Sequence, residues 1–117
     1  MAYYRINGGK RLEGAVTISG AKNAALAIIP AVILSGESCL LENLPEMRIV
    51  EEILTSMGAD ISRTPDGSMR IDPSGISTFS VTGEMVSSMR ASYYLLGALL
   101  GRYKKAEIAL PGGCAIG

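Results

Sequence analysis

The 117 residues are enough for one domain or part of one. A hydrophobic content of 48% supplies an ample core, and with only 5% aromatic residues and no Trp that core must be aliphatic. Lys and Arg total 11 and Asp and Glu total 11, so the net charge of zero gives no support for a nucleic-acid or membrane-surface partner. The absence of His removes the commonest general base and metal ligand, and two cysteines, Cys39 and Cys114, do not make a metal set. Met1 to Asn7 lack the apolar centre of a signal peptide, so reduced thiols and a cytoplasmic location are expected.

In chain order, Tyr3 to Ile6 and Leu12 to Ile18 read as two short strands joined at Asn7-Gly8-Gly9-Lys10, a hairpin-type turn signal. Ser19-Gly20 ends the second strand, with Ser19 the expected N-cap of a helix running from Ala21 to about Leu34. Pro30 inside that helix should kink or split it. The apolar run Ala24 to Leu34 is about half the roughly 20 residues of a membrane span, so it reads as a buried helix. Cys39 to Leu44 is the next strand, ended by Pro45, with Cys39 expected buried and inert. A second helix from about Glu46 to Met57 carries Ile49, Val50, Ile53, Leu54 and Met57 in steps of three and four, and Gly58 suits the position after its end.

Ala59 to Arg63 and Ser68 to Asp72 alternate around Thr64-Pro65-Asp66-Gly67, a well-motivated hairpin turn. Pro73 to Ser80 is expected to be extended. A third helix is expected from about Gly83 to Gly101, with Met85, Met89, Tyr93, Leu96, Leu99 and Leu100 on its apolar side. Lys104 to Leu110 is then a strand. Leu-Pro recurs at Leu44-Pro45 and Leu110-Pro111, and the helix-start cations Lys22 and Arg90 recur at a comparable interval. This suggests copies of one β-α-β-α-β-β unit, the second copy incomplete, in an α/β (α+β) fold.

Three groups could carry chemistry. Lys22 lies in the first helical turn, where the macrodipole disfavours a cation by about 0.3–1 kcal/mol. It is either an ordinary solvated lysine or, with free N–H groups and Asn23, a partner for an anion. Arg90 holds the matching place in the second copy: a helix-surface arginine, paired with Glu84 or Glu107, or a second cation aimed at the same ligand. Cys114 follows an apolar strand on the turn Pro111-Gly112-Gly113, whose backbone N–H groups can form an anion-binding nest. It is either a bystander in a tight turn or a nucleophile or proton donor tuned by nearby positive charge.

Together, Ser19-Gly20-Ala21-Lys22-Asn23-Ala24-Ala25-Leu26, Met89-Arg90-Ala91-Ser92 and Pro111-Gly112-Gly113-Cys114-Ala115-Ile116-Gly117 resemble the enolpyruvyl transferases, in order and spacing across the chain. Many members carry a proline nearer position 27 than Pro30. The resemblance implies transfer of the enolpyruvyl group from phosphoenolpyruvate to the 3-hydroxyl of UDP-N-acetylglucosamine, the first committed step of bacterial peptidoglycan synthesis. It implies Cys114 as proton donor to the phosphoenolpyruvate methylene, as the site of a covalent adduct and as the target of fosfomycin. Lys22 and Asn23 would hold phosphoenolpyruvate, and Arg90 would face the UDP-sugar. No metal and no separate cofactor are implied.

The family fold implies an inside-out α/β barrel, helices inside and sheets outside. Residues 1–20 would be strands of the opposite domain, and residues 21–117 an incomplete domain of about one and a half repeats. Such a piece is expected to be inactive alone and to self-associate through exposed apolar surface. The alternatives are a shikimate 3-phosphate enolpyruvyl transferase, against which the cysteine loop and Ala-Lys-Asn helix start argue, and a non-catalytic repeat module.

Overall fold

The protein is described by a computed structural model covering residues 2–81 and 92–109. Helix α1 spans Lys22–Ser35, followed by β1 (Cys39–Leu41), α2 (Arg48–Met57), β2 (Asp60–Arg63) and β3 (Met69–Asp72). A single 3-10 turn at Pro73–Gly75 leads to β4 (Ser80–Val81), then α3 (Ser92–Tyr103) and β5 (Glu107–Ile108). The three antiparallel strands take the order β1-β3-β2, with Cys39 opposite Ile71 and Ile61 opposite the other side of Ile71. β4 and β5 form a separate parallel pair, Ser80 beside Glu107 and Val81 beside Ile108.

One aliphatic core joins these elements. Ile29, Val32 and Ile33 of α1 and Val50, Ile53, Leu54 and Met57 of α2 meet Met69 and Ile71 of the central strand and Leu95, Ala98 and Leu99 of α3. The buried face of α2 is narrower than its sequence suggests, since Ile49 lies outside it at 47% exposed. The same holds for Tyr93 and Leu100 on α3, which are also exposed. Each falls at the margin of its apolar stripe, where the neighbour that would cover it is missing among the described residues.

Local chemistry explains most element ends. Gly58 closes α2 with φ 110°, a conformation costly for any side chain, and Ala59 N–H reaches back to the Leu54 carbonyl at 3.0 Å. The β2–β3 hairpin turns where expected: Thr64 N–H donates to the Ser68 carbonyl at 2.9 Å, and the Asp66 carboxylate accepts from the Thr64 hydroxyl and from Ser68 N–H. Arg63 reaches from β2 to the Glu51 carboxylate of α2, and also donates to the Gly67 carbonyl at 2.8 Å.

Several expectations are corrected. Tyr3–Ile6 and Leu12–Ile18 form no strands, and Asn7-Gly8 makes no hairpin; residues 2–19 lie exposed. A strand needs a ladder partner, and none of the described elements offers one to this segment. α1 begins at Lys22, with Ala21 rather than Ser19 at the N-cap, and it passes through Pro30 without splitting. Pro30 is buried there, so packing retains the helix across the one missing backbone donor. β1 stops at Leu41 because Asn43 takes a left-handed φ of 54°. α2 starts two residues after Glu46, with Met47 as N-cap. The stretch after Asp72 is not extended throughout: the Asp72 side chain accepts from Ser74 N–H at 2.9 Å and starts the 3-10 turn. α3 continues past Gly101 to Tyr103, and Lys104, with φ 65°, turns the chain so that β5 begins only at Glu107. Cys39 is half-buried rather than buried, its Sγ 3.7 Å from the Ser35 hydroxyl and 3.6 Å from the Glu37 carbonyl. The first part of the third predicted helix, with Met85 and Met89, lies outside the described residues.

Two measurements check this packing. Met69 is completely buried on the central strand, so Met69→Ala should lower the unfolding free energy by about 2–5 kcal/mol in urea titrations. Ile49→Ala should change it by no more than about 0.5 kcal/mol. The Asp66 carboxyl is held below its ordinary range, first by the Thr64 hydroxyl and then by Ser68 N–H. A depressed carboxyl contributes stability above its unfolded pKa and loses it as pH falls through the folded value. Stability followed through and below about pH 4 should therefore fall more steeply for the parent than for Asp66→Asn.

Candidate active site

The start of α1 is built as an open, positively polarised end. Ala21 precedes it in an extended conformation (φ −76°, ψ 122°), and its carbonyl accepts the Ala25 N–H at 3.0 Å. No side chain caps the first turn, and no acidic residue stands in it. The unsatisfied N–H groups of a helix start carry a partial positive charge. Lys22 and Asn23, the first two residues of α1, are both exposed, and among the described residues Lys22 has no ion-pair partner. A cation, an amide and free backbone donors thus share one surface, suited to a phosphate or carboxylate. The Ser19 cap expected from the sequence would have occupied one of these donors; the exposed Ser19 does not.

Arg90 and Cys114 lie outside the described residues, as does their geometry relative to Lys22. The strands that lead to them are described. β4 and β5 run parallel and in register, so Val81 and Ile108 end side by side. The carboxyl ends of parallel strands are where α/β folds place ligand sites. On the opposite flank, α1 packs along α3, so the helix carrying Lys22 and the helix following Arg90 belong to one body.

A separate surface cleft of about 410 Å³ is lined by Ser77, Thr78, Phe79, Ser80, Lys105, Ala106 and Glu107. The Phe79 ring lies tilted by 40° against Tyr103 with ring centroids 4.6 Å apart, and the Lys105 ammonium lies 5.1 Å from the Phe79 centroid. Sequence reading did not find this cleft, because it depends on β4 and β5 being neighbours. Among the described residues no group of three or more His, Cys, Asp or Glu side chains could hold a metal ion, and no helix is long and apolar enough to cross a membrane.

Comparison with known proteins defines the class. The family model for EPSP synthase (3-phosphoshikimate 1-carboxyvinyltransferase) matches residues 6–117, and the chain belongs to this enolpyruvyl transferase family. It is 48% identical to the UDP-N-acetylglucosamine 1-carboxyvinyltransferase of Clostridium botulinum, over all of this chain and 29% of that protein. It is 43% identical to UDP-N-acetylglucosamine 1-carboxyvinyltransferase 3 of Caldanaerobacter subterraneus subsp. tengcongensis, over all of this chain and 28% of that protein. Its fold is similar to the crystal structure of the enolpyruvyl transferase NikO from Streptomyces tendae, with a TM-score of 0.69 and 29% identity over 82% of this chain and 23% of the other. The chain therefore spans less than a third of the length of the relatives it matches.

The uncapped start of α1 leads to a prediction. Ala21 already has the backbone conformation of an N-cap, so Ala21→Ser should raise the unfolding free energy by about 0.5–2 kcal/mol, measured by urea denaturation.

Proposed function

We propose that this chain is part of an enzyme that transfers the enolpyruvyl group of phosphoenolpyruvate to the 3-hydroxyl of UDP-N-acetylglucosamine, in the cytoplasmic phase of peptidoglycan synthesis. The observation that carries this reading is identity of 43–48% over the full chain to proteins with that activity in their names. In this reaction the sugar 3-hydroxyl gives up its proton as its oxygen adds to C2 of phosphoenolpyruvate and C3 gains one, a net addition of O–H across the double bond that gives a tetrahedral intermediate. Loss of phosphate from C2 and of a proton from C3 then restores the double bond.

Cys114 is the proton donor to C3 in this scheme, and its sulfur can instead add to C2 to give a covalent adduct. Lys22 binds the phosphate and carboxylate of phosphoenolpyruvate, with Asn23 beside it. Arg90 faces the UDP-sugar. Fixed cations around a dianionic donor stabilise charge that water would otherwise solvate. The exposed, uncapped start of α1 supports this role for Lys22 and Asn23.

The same reading extends to architecture. Residues 1–20 join the opposite domain, and residues 21–117 form about one and a half repeats of an inside-out barrel with helices inside. The exposed Tyr3, Tyr4, Ile6, Leu12, Val16 and Ile18 support this, since six large apolar side chains in one segment need a cover. By itself the 117-residue chain is inactive and prone to self-association through such surface.

Because the matching family model is described by the shikimate enzyme, the acceptor is a real alternative. It is decided by assaying phosphate release by the full-length protein with each acceptor: release is expected with UDP-N-acetylglucosamine and not with shikimate 3-phosphate. Mass spectrometry after incubation with phosphoenolpyruvate or fosfomycin should show added mass on Cys114, lost in Cys114→Ser. An unmodified Cys114 would overturn its proposed role, and turnover by residues 1–117 alone would overturn the claim of incompleteness.

A further inference from the structure

Gly20, two residues before Lys22, is held against backbone rather than side chain. A Cβ built on it would stand 1.8 Å from the Asn43 carbonyl oxygen, 3.0 Å from the Asn43 carbonyl carbon and 3.2 Å from Pro45 Cδ. Contacts below about 3.0 Å are not accommodated, and the nearest atom belongs to the main chain, which cannot swing away as a flexible side chain can. Asn43 holds a left-handed φ of 54°, which asparagine tolerates better than most residues. Pro45 restricts the residue before it to extended conformations. The Asn43–Pro45 side of the contact is therefore stiff.

The far side of the contact is anchored as well. Asn43 lies two residues beyond β1, and β1 is paired with the central strand through Cys39–Ile71 and Leu41–Met69. Ala21 has no side-chain cap, and this contact ties the entry of α1, whose register its buried face sets, to the exit of β1. We infer that Gly20 and Asn43 form a positioning joint that sets where Lys22 and Asn23 present their side chains to an anionic substrate. The inference rests on the role proposed above for Lys22, and it concerns residues that touch no substrate.

The test uses the full-length protein that carries this sequence, with phosphoenolpyruvate and UDP-N-acetylglucosamine as probes. Gly20→Ala must part the two backbones, and a misplacement of about 1 Å in a binding group can cost up to about a hundredfold. The KM for phosphoenolpyruvate should rise at least about tenfold, with the KM for the UDP-sugar held within about twofold. Asn43→Gly, which keeps the left-handed conformation, should match the parent. Asn43→Val, which disfavours it, should reproduce the Gly20→Ala effect.

Lys22→Ala separates the two levels of the argument. If it raises the phosphoenolpyruvate KM while folded Gly20→Ala does not, the joint is overturned and the role of Lys22 stands. If Lys22→Ala leaves that KM unchanged, the role of Lys22 fails. The joint is then decided by amide hydrogen exchange at Lys22 to Ala24: faster exchange in Gly20→Ala supports it, and unchanged exchange overturns it. Failure of both Gly20→Ala and Asn43→Val to fold would make the contact a general structural requirement and overturn the positioning role.

Discussion

Ile29 on α1 and Leu99 on α3 are both completely buried, and they sit on helices separated by the whole first sheet in the chain. Burying such a side chain contributes about 1.5–3 kcal/mol. The shared aliphatic core of these helices, α2 and the inner face of β1-β3-β2 is the constraint from which the rest follows. It holds α1 in one piece across Pro30. It also fixes α3, and with it the parallel pair β4–β5, relative to the helix that carries Lys22. An aliphatic core needs shape rather than polar partners, and none of the buried side-chain polar atoms among the described residues lacks a hydrogen bond.

That core leaves the start of α1 free for other work. A helix whose register is set by its buried face has no need of a strong N-cap, and α1 has none. Its open N–H groups remain available to an anion, at the cost of the stability a cap would add. The close contact of Gly20 with the Asn43 carbonyl replaces the cap as the device that locates the helix entry, tying it to the exit of β1. Positioning by main-chain contact keeps the donors unoccupied, which a Ser or Asp at position 21 would not.

Local signals were legible where the physics is local. The Thr64–Gly67 turn, Gly58 at the end of α2 and the run of α2 itself follow from residues adjacent in the chain, and the structure matches them. The sequence misled where the outcome depends on a partner. Residues 3–6 and 12–18 alternate like strands yet form none, since pattern supplies a face but not a neighbour. Ser19 is chemically a good cap, but the helix starts beyond it, with Ala21 at the N-cap. The ends of β1 and α3 shift by a few residues because Asn43 and Lys104 take left-handed conformations that their side chains do not demand.

Of the candidate site, the motifs containing Lys22, Asn23, Arg90 and Cys114 pointed to the enolpyruvyl transferases by resemblance alone, because a motif is a property of the chain and needs no fold to be read. The core positions Val50, Ile53, Leu54 and Met57 of α2, the Thr64–Gly67 turn and an aliphatic core were determined at the same level. Tertiary structure alone decided that Val81 and Ile108 end together, that α1 begins uncapped, and that Gly20 meets Asn43. The first and last of these join residues more than 20 positions apart, and such meetings are set by packing, not by any residue's own preference.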